Sequence, residues 1–407
     1  MLRCRRSLRL PEKKRSLDGS MACQVRHSVI GFLVLAFTVS FSLVLCPGEV
    51  QAAPYMTAQA YCLLDLTSGQ VMHGKKMHEM RPVASTTKIL TAVLALEYAG
   101  LAELAVISPE AANTESGIGL KAGDQMTVED LLKAALLESA NDASVALAEH
   151  VAGSEDLFAY LMNKKAWVLG AVRTHFTNSS GLPDKGHRST CYDLSLITRY
   201  ALRNRVFTEL VGTRQAVIKQ PGYPEGRKIF NTNQLLGSYD GAFGVKTGTT
   251  DAAGKCLIAA AQRGNRKLIS VVLRSWDRYA DSRRLLDWGF TSLTREKVVD
   301  KSNMFKVLPV LGGTSIQVTV YPSRDVYLWL PQDKAGVEKI VSIQYRPRAP
   351  LRAGQKVGEL EVRYLGVPVE RVNLVAGHEV GKEPEGLMRL FYRFYLQLKD
   401  YKRREAI

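Results

Sequence analysis

Metal-binding and phosphate-cradling patterns are missing from this chain, and cysteine is scarce. Its seven histidines include no His-x-x-x-His pair, and no glycine-rich loop follows a strand-like run. No metal or other cofactor is therefore implied. Of six cysteines, Cys4, Cys23 and Cys46 fall in an N-terminal leader. That leaves Cys62, Cys191 and Cys256, an odd number without metal-ligand spacing. Cys62 and Cys256 sit in apolar, strand-like sequence, so buried thiols are expected and a disulfide framework is not. Internal repeats and long low-complexity linkers are also absent. Acidic residues are outnumbered, 39 against 55 basic, for a net charge of +16. Residues 1–52 hold eight of the bases and three of the acids, and the 47 against 36 that remain still make a basic surface. Such a surface suits nucleic acid, an anionic membrane or an acidic polymer such as a cell wall. The bases are scattered, with no arginine–aromatic stripe for base stacking, so nucleic acid is not an expected partner.

Length and apolar content are plentiful. At 407 residues and 46% hydrophobic, the chain can bury a sizeable core in two folded domains. Ser28 to Leu45 is an uninterrupted apolar run behind Arg26 and His27, followed by Pro47-Gly48-Glu49 and Val50-Gln51-Ala52. This is the charged, apolar and small-x-small order of an export signal, with a cut expected after Ala52. Met21 is a second candidate start, and a retained anchor is the alternative fate of the 18-residue run. Export predicts an enzyme or binding protein on the outer face of the cytoplasmic membrane.

Residues 53–293 read as strands, then helices, then strands. Tyr61 to Leu66 and Val71 to His73 flank a turn, and Thr127-Val128-Glu129-Asp130 starts a helix in capping-box fashion. That helix is interrupted at Ser139-Ala140-Asn141 and resumes from Asp142. Cys256 to Ala261 and Leu268 to Leu273, joined by Arg263-Gly264-Asn265, form a hairpin signature. The pattern implies an α+β unit: an antiparallel sheet with edges from both ends of the segment and a helical lobe beside it. Residues 294–380 switch to short runs at hairpin spacing, a second, small all-β domain without catalytic residue types. Within the tail, 381–407, Glu385 to Lys402 places Leu387, Leu390, Phe391, Phe394, Tyr395 and Leu398 at helical spacing. With Arg389, Arg393, Lys399, Lys402, Arg403 and Arg404 on the polar side, it suits an anionic membrane surface. The alternative is a helix docked on its own protein.

Candidate chemistry lies in three short motifs. Ser85 and Lys88 stand one helical turn apart, at the start of an apolar helix that runs through Leu96. A serine hydroxyl becomes a nucleophile when a base lies within hydrogen-bond reach, and a lysine buried enough to lose its proton can be that base. Alone, Ser-x-x-Lys more often describes a capping serine and a solvated lysine. Ser139-Ala140-Asn141 and Lys246-Thr247-Gly248, coming after it in order, complete the triple motif of serine acyltransferases that react with penicillins. Ser139 can pass a proton to a leaving amine, and Asn141 can hold a substrate amide and the lysine. Lys246 supplies a second cation that keeps Lys88 deprotonated, while Thr247 and Thr249 can bind a terminal carboxylate.

Arg81-Pro-Val-Ala-Ser-Thr-Thr-Lys-Ile-Leu-Thr, Asn178-Ser-Ser-Gly-Leu-Pro, Asn231-Thr-Asn-Gln-Leu-Leu and Gly244-Val-Lys-Thr-Gly-Thr-Thr-Asp-Ala-Ala-Gly closely resemble the low-molecular-mass penicillin-binding proteins that act as D-alanyl-D-alanine carboxypeptidases. The likeness runs from about Ala58 to Phe290 and more weakly into the β domain. It implies a β-lactamase/transpeptidase-like fold, peptidoglycan stem peptides as substrate and β-lactam antibiotics as acylating ligands. Ser85, Lys88 and Ser139 fall at catalytic positions, and Asn141, Lys246, Thr247, Gly248, Thr249 and Arg278 at substrate-binding ones. The family's geometry implies an oxyanion hole from the backbone N–H groups of Ser85 and Thr249, and a carboxylate-binding role for Arg278, which otherwise reads as a surface arginine. The middle motif carries Ala140 where glycine or aspartate also occurs, and Thr249 stands where histidine also occurs; both bear on substrate preference. A class A β-lactamase shares the three motifs but should carry Glu-x-x-Leu-Asn between Asn141 and Lys246, and none is present. A non-catalytic wall-binding relative should have lost motif residues, and all are intact.

Overall fold

A computed structural model describes residues 54–384 together with 386–388, 390–392, 394, 395, 397 and 398. The expected signal segment lies outside the described residues, as do Arg389, Arg393 and the basic cluster from Lys399 onward. β1 (Ala60–Asp65) and β2 (Val71–Lys75) make the expected hairpin. Its turn is fastened by Ser68, which donates its N–H and hydroxyl to Asp65 Oδ1 at 2.7 and 2.8 Å. Two short ribbons lie further along, β3 (Leu104–Val106) with β4 (Gln125–Thr127) and β5 (Gln215–Ile218) with β6 (Arg227–Phe230). β7 (Ala242–Thr250), β8 (Gly254–Arg263) and β9 (Arg266–Ser275) complete a five-stranded antiparallel sheet ordered β2-β1-β9-β8-β7. Its edges come from opposite ends of the unit, and β7, which carries Lys246, is one of them.

The middle strands are apolar on both faces because both faces are covered. Successive residues divide with the period of two that a strand imposes. Cys62, Leu64, Ile258, Ala260, Val271 and Leu273 join the core shared with the helical lobe. Leu63, Leu257, Ala259, Leu268 and Val272 join a second core with Leu285, Leu286 and Trp288. Cys62, Cys191 and Cys256 are buried free thiols, as expected.

At the lobe's centre is α1 (Lys88–Tyr98), buried without a break from Lys88 to Ala95. A helix enclosed on all sides is a fixed platform, since each fully buried Leu or Ile contributes about 1.5–3 kcal/mol. Around it come α2 (Val128–Lys133), α3 (Asn141–Ala152), α4 (Glu155–Val168), α5 (Cys191–Ala201) and α6 (Arg205–Gly212), while α7 (Arg278–Thr291) covers the far face of the sheet. Thr127 caps α2 by accepting the Asp130 N–H at 3.1 Å.

From Thr294 to Ala376 the regular elements are all strands, as the switch in sequence pattern predicts. β10 (Thr294–Val299) pairs with β13 (Val326–Leu330). β11 (Lys306–Pro309), β12 (Gln317–Pro322), β14 (Val337–Ile343), β15 (Lys356–Tyr364) and β16 (Val367–Ala376) form a sheet ordered β11-β12-β16-β15-β14. Val318, Val320, Leu328, Leu360, Val362 and Leu374 fill its core. Gln70 joins the two units by exchanging hydrogen bonds with the Trp329 backbone at 2.7 and 2.9 Å, and Arg266 stacks on the Trp329 ring at 3.8 Å. In the tail, Lys382 still bridges to Gly313 and the Glu383 N–H donates to Gly312 O. Helix begins only after that point, at the described residues from Leu387 to Leu398. Leu387, Leu390, Phe391 and Phe394 are 63–77% exposed, so the apolar face is not docked on the described residues. No helix among the described residues is long and apolar enough to cross a membrane.

Candidate active site

The nucleophile motif does not begin on the α-helix itself. Ala84–Thr87 form a 3₁₀ turn that runs into α1 at Lys88. Residues three apart eclipse one another in such a turn, which sets Ser85 over Lys88 more squarely than an α-helix would. Lys88 Nζ lies 3.1 Å from Ser85 Oγ, and it donates to Asn141 Oδ1 and to the Ser180 backbone carbonyl, each at 2.6 Å. Asn141 is oriented by its own Nδ2, which donates to Glu115 O at 2.9 Å.

Two of those three partners can only accept. A neutral amine has two N–H donors and one lone pair, so the two carbonyl oxygens take both protons and the lone pair is left for the Ser85 hydroxyl. Lys88 is fully buried, and its pKa is held well below the ordinary lysine range. Burial is the main cause, and the Lys246 ammonium adds to it; Asp142 and Glu155 pull the other way. Lys246 is itself buried on β7, where its Nζ donates to Thr247 O at 3.2 Å. Burial, with Arg278 second, brings its pKa down to about 7. The second cation expected from the sequence is thus itself only partly charged at neutral pH.

Ser139 arrives through a break in helix geometry. A π-turn at Ala134–Glu138 ends in Ser139 with φ +70°, and α3 starts at Asn141. One widened turn and one left-handed residue project Ser139 and Asn141 into a single cleft of about 490 Å³. Ser85, Thr232, Thr247, Gly248, Thr249 and Arg278 line the same cleft. The Ser139 hydroxyl makes no hydrogen bond among the described residues, so it is free for a relay. Gly248 eases the close approach of β7: a Cβ there would lie a tight 3.1 Å from both the Ser85 N and the Ala84 Cβ. Thr247 is buried, with its hydroxyl 2.6 Å from that of Thr232. Arg278, the first residue of α7, donates through Nη1 to Thr249 Oγ1 at 2.8 Å and to Gly248 O at 3.1 Å. It is a residue of the cleft, not a loop arginine turned to solvent.

Every sequence-predicted site residue meets in one place, and four contributors went unassigned. The Ser180 carbonyl holds Lys88. Glu155 Oε1 fixes the same loop by accepting the Ser179 N–H and hydroxyl at 2.8 and 2.5 Å. Thr232 faces Thr247, and its carbonyl accepts from the Tyr279 hydroxyl at 2.9 Å. The segments Asn178 to Pro183 and Asn231 to Leu236 signalled two of these, but without saying which atom acts.

A serine 3.1 Å from a buried lysine, a relay hydroxyl in the same cleft and a second buried lysine on the edge strand define a serine acyltransferase of the β-lactamase/transpeptidase-like class. Residues 48–276 match the family model described as D-alanyl-D-alanine carboxypeptidase, and residues 294–382 match the C-terminal domain of penicillin-binding protein 5. Similar curated proteins include the D-alanyl-D-alanine carboxypeptidase DacF of Bacillus subtilis, 30% identical over 87% of this chain and 93% of that protein. Another is DacA of Escherichia coli, 32% identical over 86% and 88%. Among solved structures, penicillin-binding protein 5 from Haemophilus influenzae superposes with a TM-score of 0.63 at 28% identity, covering 81% of this chain and 99% of that one. The chain belongs to the D-alanyl-D-alanine carboxypeptidase family of penicillin-binding proteins, and is a serine-type hydrolase.

Proposed function

We propose that the chain removes the terminal D-alanine of peptidoglycan stem pentapeptides through an acyl-enzyme on Ser85, with Lys88 as the base. The observation that carries this reading is the buried Lys88 Nζ, 3.1 Å from Ser85 Oγ and held at 2.6 Å by the Asn141 and Ser180 oxygens. Ser85 Oγ attacks the carbonyl carbon of the penultimate residue while its proton moves to Lys88 Nζ. Ser139 relays a proton to the leaving amine of D-alanine, and water then hydrolyses the ester. A β-lactam amide opens by the same first step. The strand side of the cleft, Lys246 to Thr249 with Arg278, suits the substrate carboxylate, and Asn141 suits the substrate amide. Ser85 and Thr249 N–H groups serve the developing oxyanion.

Purified protein incubated with a pentapeptide ending in D-Ala-D-Ala should release free D-alanine and take one equivalent of a fluorescent penicillin. Absence of both products would refute the reading. The tail and the leader add a location: exported by the N-terminal segment, the enzyme works outside the cytoplasm and rests on the membrane through its terminal helix. The exposed apolar face of that helix supports this.

Lys246 provides a sharper test. When charged it depresses the Lys88 pKa, so Lys246→Gln should let that pKa rise. Less of Lys88 is then neutral at pH 7, and the acidic limb of the acylation profile should move to higher pH. The rate at pH 7 should fall in proportion to the neutral Lys88 that is lost. The melting temperature should hold or rise, because a buried cation does not favour the folded state. Unfolding of the variant would make Lys246 structural.

A further inference from the structure

We propose that His187 is a positioning residue for the acyl transfer, tying the turn that carries Ser85 to the loop that holds Lys88. The inference rests on the assignment of Ser85 as nucleophile and Lys88 as base.

Ala84, directly before the nucleophile, has φ +50°, a left-handed conformation unfavourable for a residue with a Cβ. Its carbonyl accepts from the Thr87 hydroxyl at 2.9 Å. That donation uses the single hydroxyl proton of Thr87, so its oxygen must accept in the 2.7 Å contact with His187 Nε2. On the other side of the ring, Nδ1 accepts the Thr177 N–H at 3.2 Å. These partners assign the neutral tautomer with its proton on Nε2; a second proton on Nδ1 would face the Thr177 N–H. Burial agrees, bringing the His187 pKa down to about 4. The ring is 3% exposed and packs on Phe176.

From Thr177 the chain passes directly into Asn178-Ser179-Ser180-Gly181. Ser180 gives Lys88 its carbonyl, and Gly181 backs on Ala84 so closely that a Cβ would lie 2.0 Å from the Ala84 oxygen. Two lines of contacts therefore join the same pair of segments. One runs Ser180, Lys88, Ser85. The other runs Thr177, His187, Thr87, Ala84, and neither Thr177, His187 nor Thr87 lines the substrate cleft. A role confined to setting the Ser85–Lys88 distance should thus change the rate of acylation and leave substrate affinity alone.

Acylation by a fluorescent penicillin, kcat and KM for a pentapeptide, and melting temperature would be measured on the chain from Ala53 to Ile407. Thr87→Val keeps the side chain's shape but loses both hydroxyl bonds, and should slow acylation on the order of 10- to 100-fold. KM should stay within about 2-fold, as expected when a group acts on the chemical step. Thr87→Ser restores both bonds and should act within about 3-fold of wild type. His187→Gln keeps a donor near the Nε2 position and should retain more activity than His187→Asn, whose amide stops short of Thr87. Wild-type rates in Thr87→Val, or equal rates in His187→Gln and His187→Asn, would overturn the proposal while leaving Ser85 and Lys88 in place. The His187 pair decides the matter if Thr87→Val does not fold. Wild-type protein that takes no label would overturn the underlying assignment and this proposal with it.

Discussion

Ser85→Ala protein should release no D-alanine and carry no covalent penicillin, with its melting temperature unchanged. No neighbouring hydroxyl can substitute. Thr86 donates its hydroxyl to Val83 O at 2.8 Å and Thr87 to Ala84 O at 2.9 Å, and both residues are buried. Only Ser85, partly exposed in the cleft, pairs an open approach with the Lys88 nitrogen. Lys88→Arg is the companion experiment. A guanidinium does not give up its proton at working pH, and its planar fork cannot make the Ser180 and Asn141 contacts while leaving a lone pair for Ser85. Acylation should fall on the order of 10²- to 10⁴-fold, the usual worth of a positioned general base. Labelling retained by Ser85→Ala would remove Ser85 as nucleophile, and wild-type acylation by Lys88→Arg would remove Lys88 as base.

Sequence carried much of this site because the reaction needs particular side chains at short spacings. Ser85 and Lys88 are three apart, Ser139 and Asn141 two apart, and Lys246 to Thr249 contiguous, so local periodicity alone groups them. The antiparallel sheet was legible for a related reason: β8 and β9 are long, apolar and joined by a two-residue turn. What escaped was carried by backbone or by distance. Any residue at position 180 supplies the carbonyl that Lys88 needs, so its identity reveals nothing. Glu155, acting on Ser179 from α4, looks like an ordinary first-turn acid of a helix. The π-turn before Ser139 has no signature in Ala134-Ala-Leu-Leu-Glu138, and the β3–β4 and β5–β6 ribbons are too short for a period of two to register. Burial of Lys246 was hidden as well. An edge strand suggests exposure, whereas this one is covered at its buried stretch by the nucleophile's own turn, which is why the lysine titrates near neutrality and not as a free cation.

Truncation after Pro384 should free the enzyme from membranes without touching its chemistry. The cut spares the Lys382 bridge to Gly313 and the Glu383 bond to Gly312, and removes the residues beyond them. Leu387, Leu390, Phe391, Phe394 and Leu398 recur at three- and four-residue steps, so they share one face, and that face has no partner within the described residues beyond the bond from the Tyr392 hydroxyl to Thr314 O. An apolar stripe with aromatics lies naturally at the boundary between headgroups and acyl chains. Arg389, Arg393 and the terminal bases would then meet anionic headgroups, each contributing about 1 kcal/mol at low salt. The segment removed holds these six bases against three acids, Glu385, Asp400 and Glu405, a net of +3, and its loss together with the apolar face should change the partition. In cells, the full chain should sediment with membranes and the truncated one should appear in the soluble extracytoplasmic fraction, with equal D-alanine release per mole. Binding of the full chain, freed of its leader, to anionic vesicles should weaken as salt rises, because exposed charges are screened over about 10 Å at 0.1 M. A truncated enzyme that still sediments would place the anchor at an uncleaved Ser28–Leu45 segment instead, and salt-independent vesicle binding would assign the attachment to the apolar face alone.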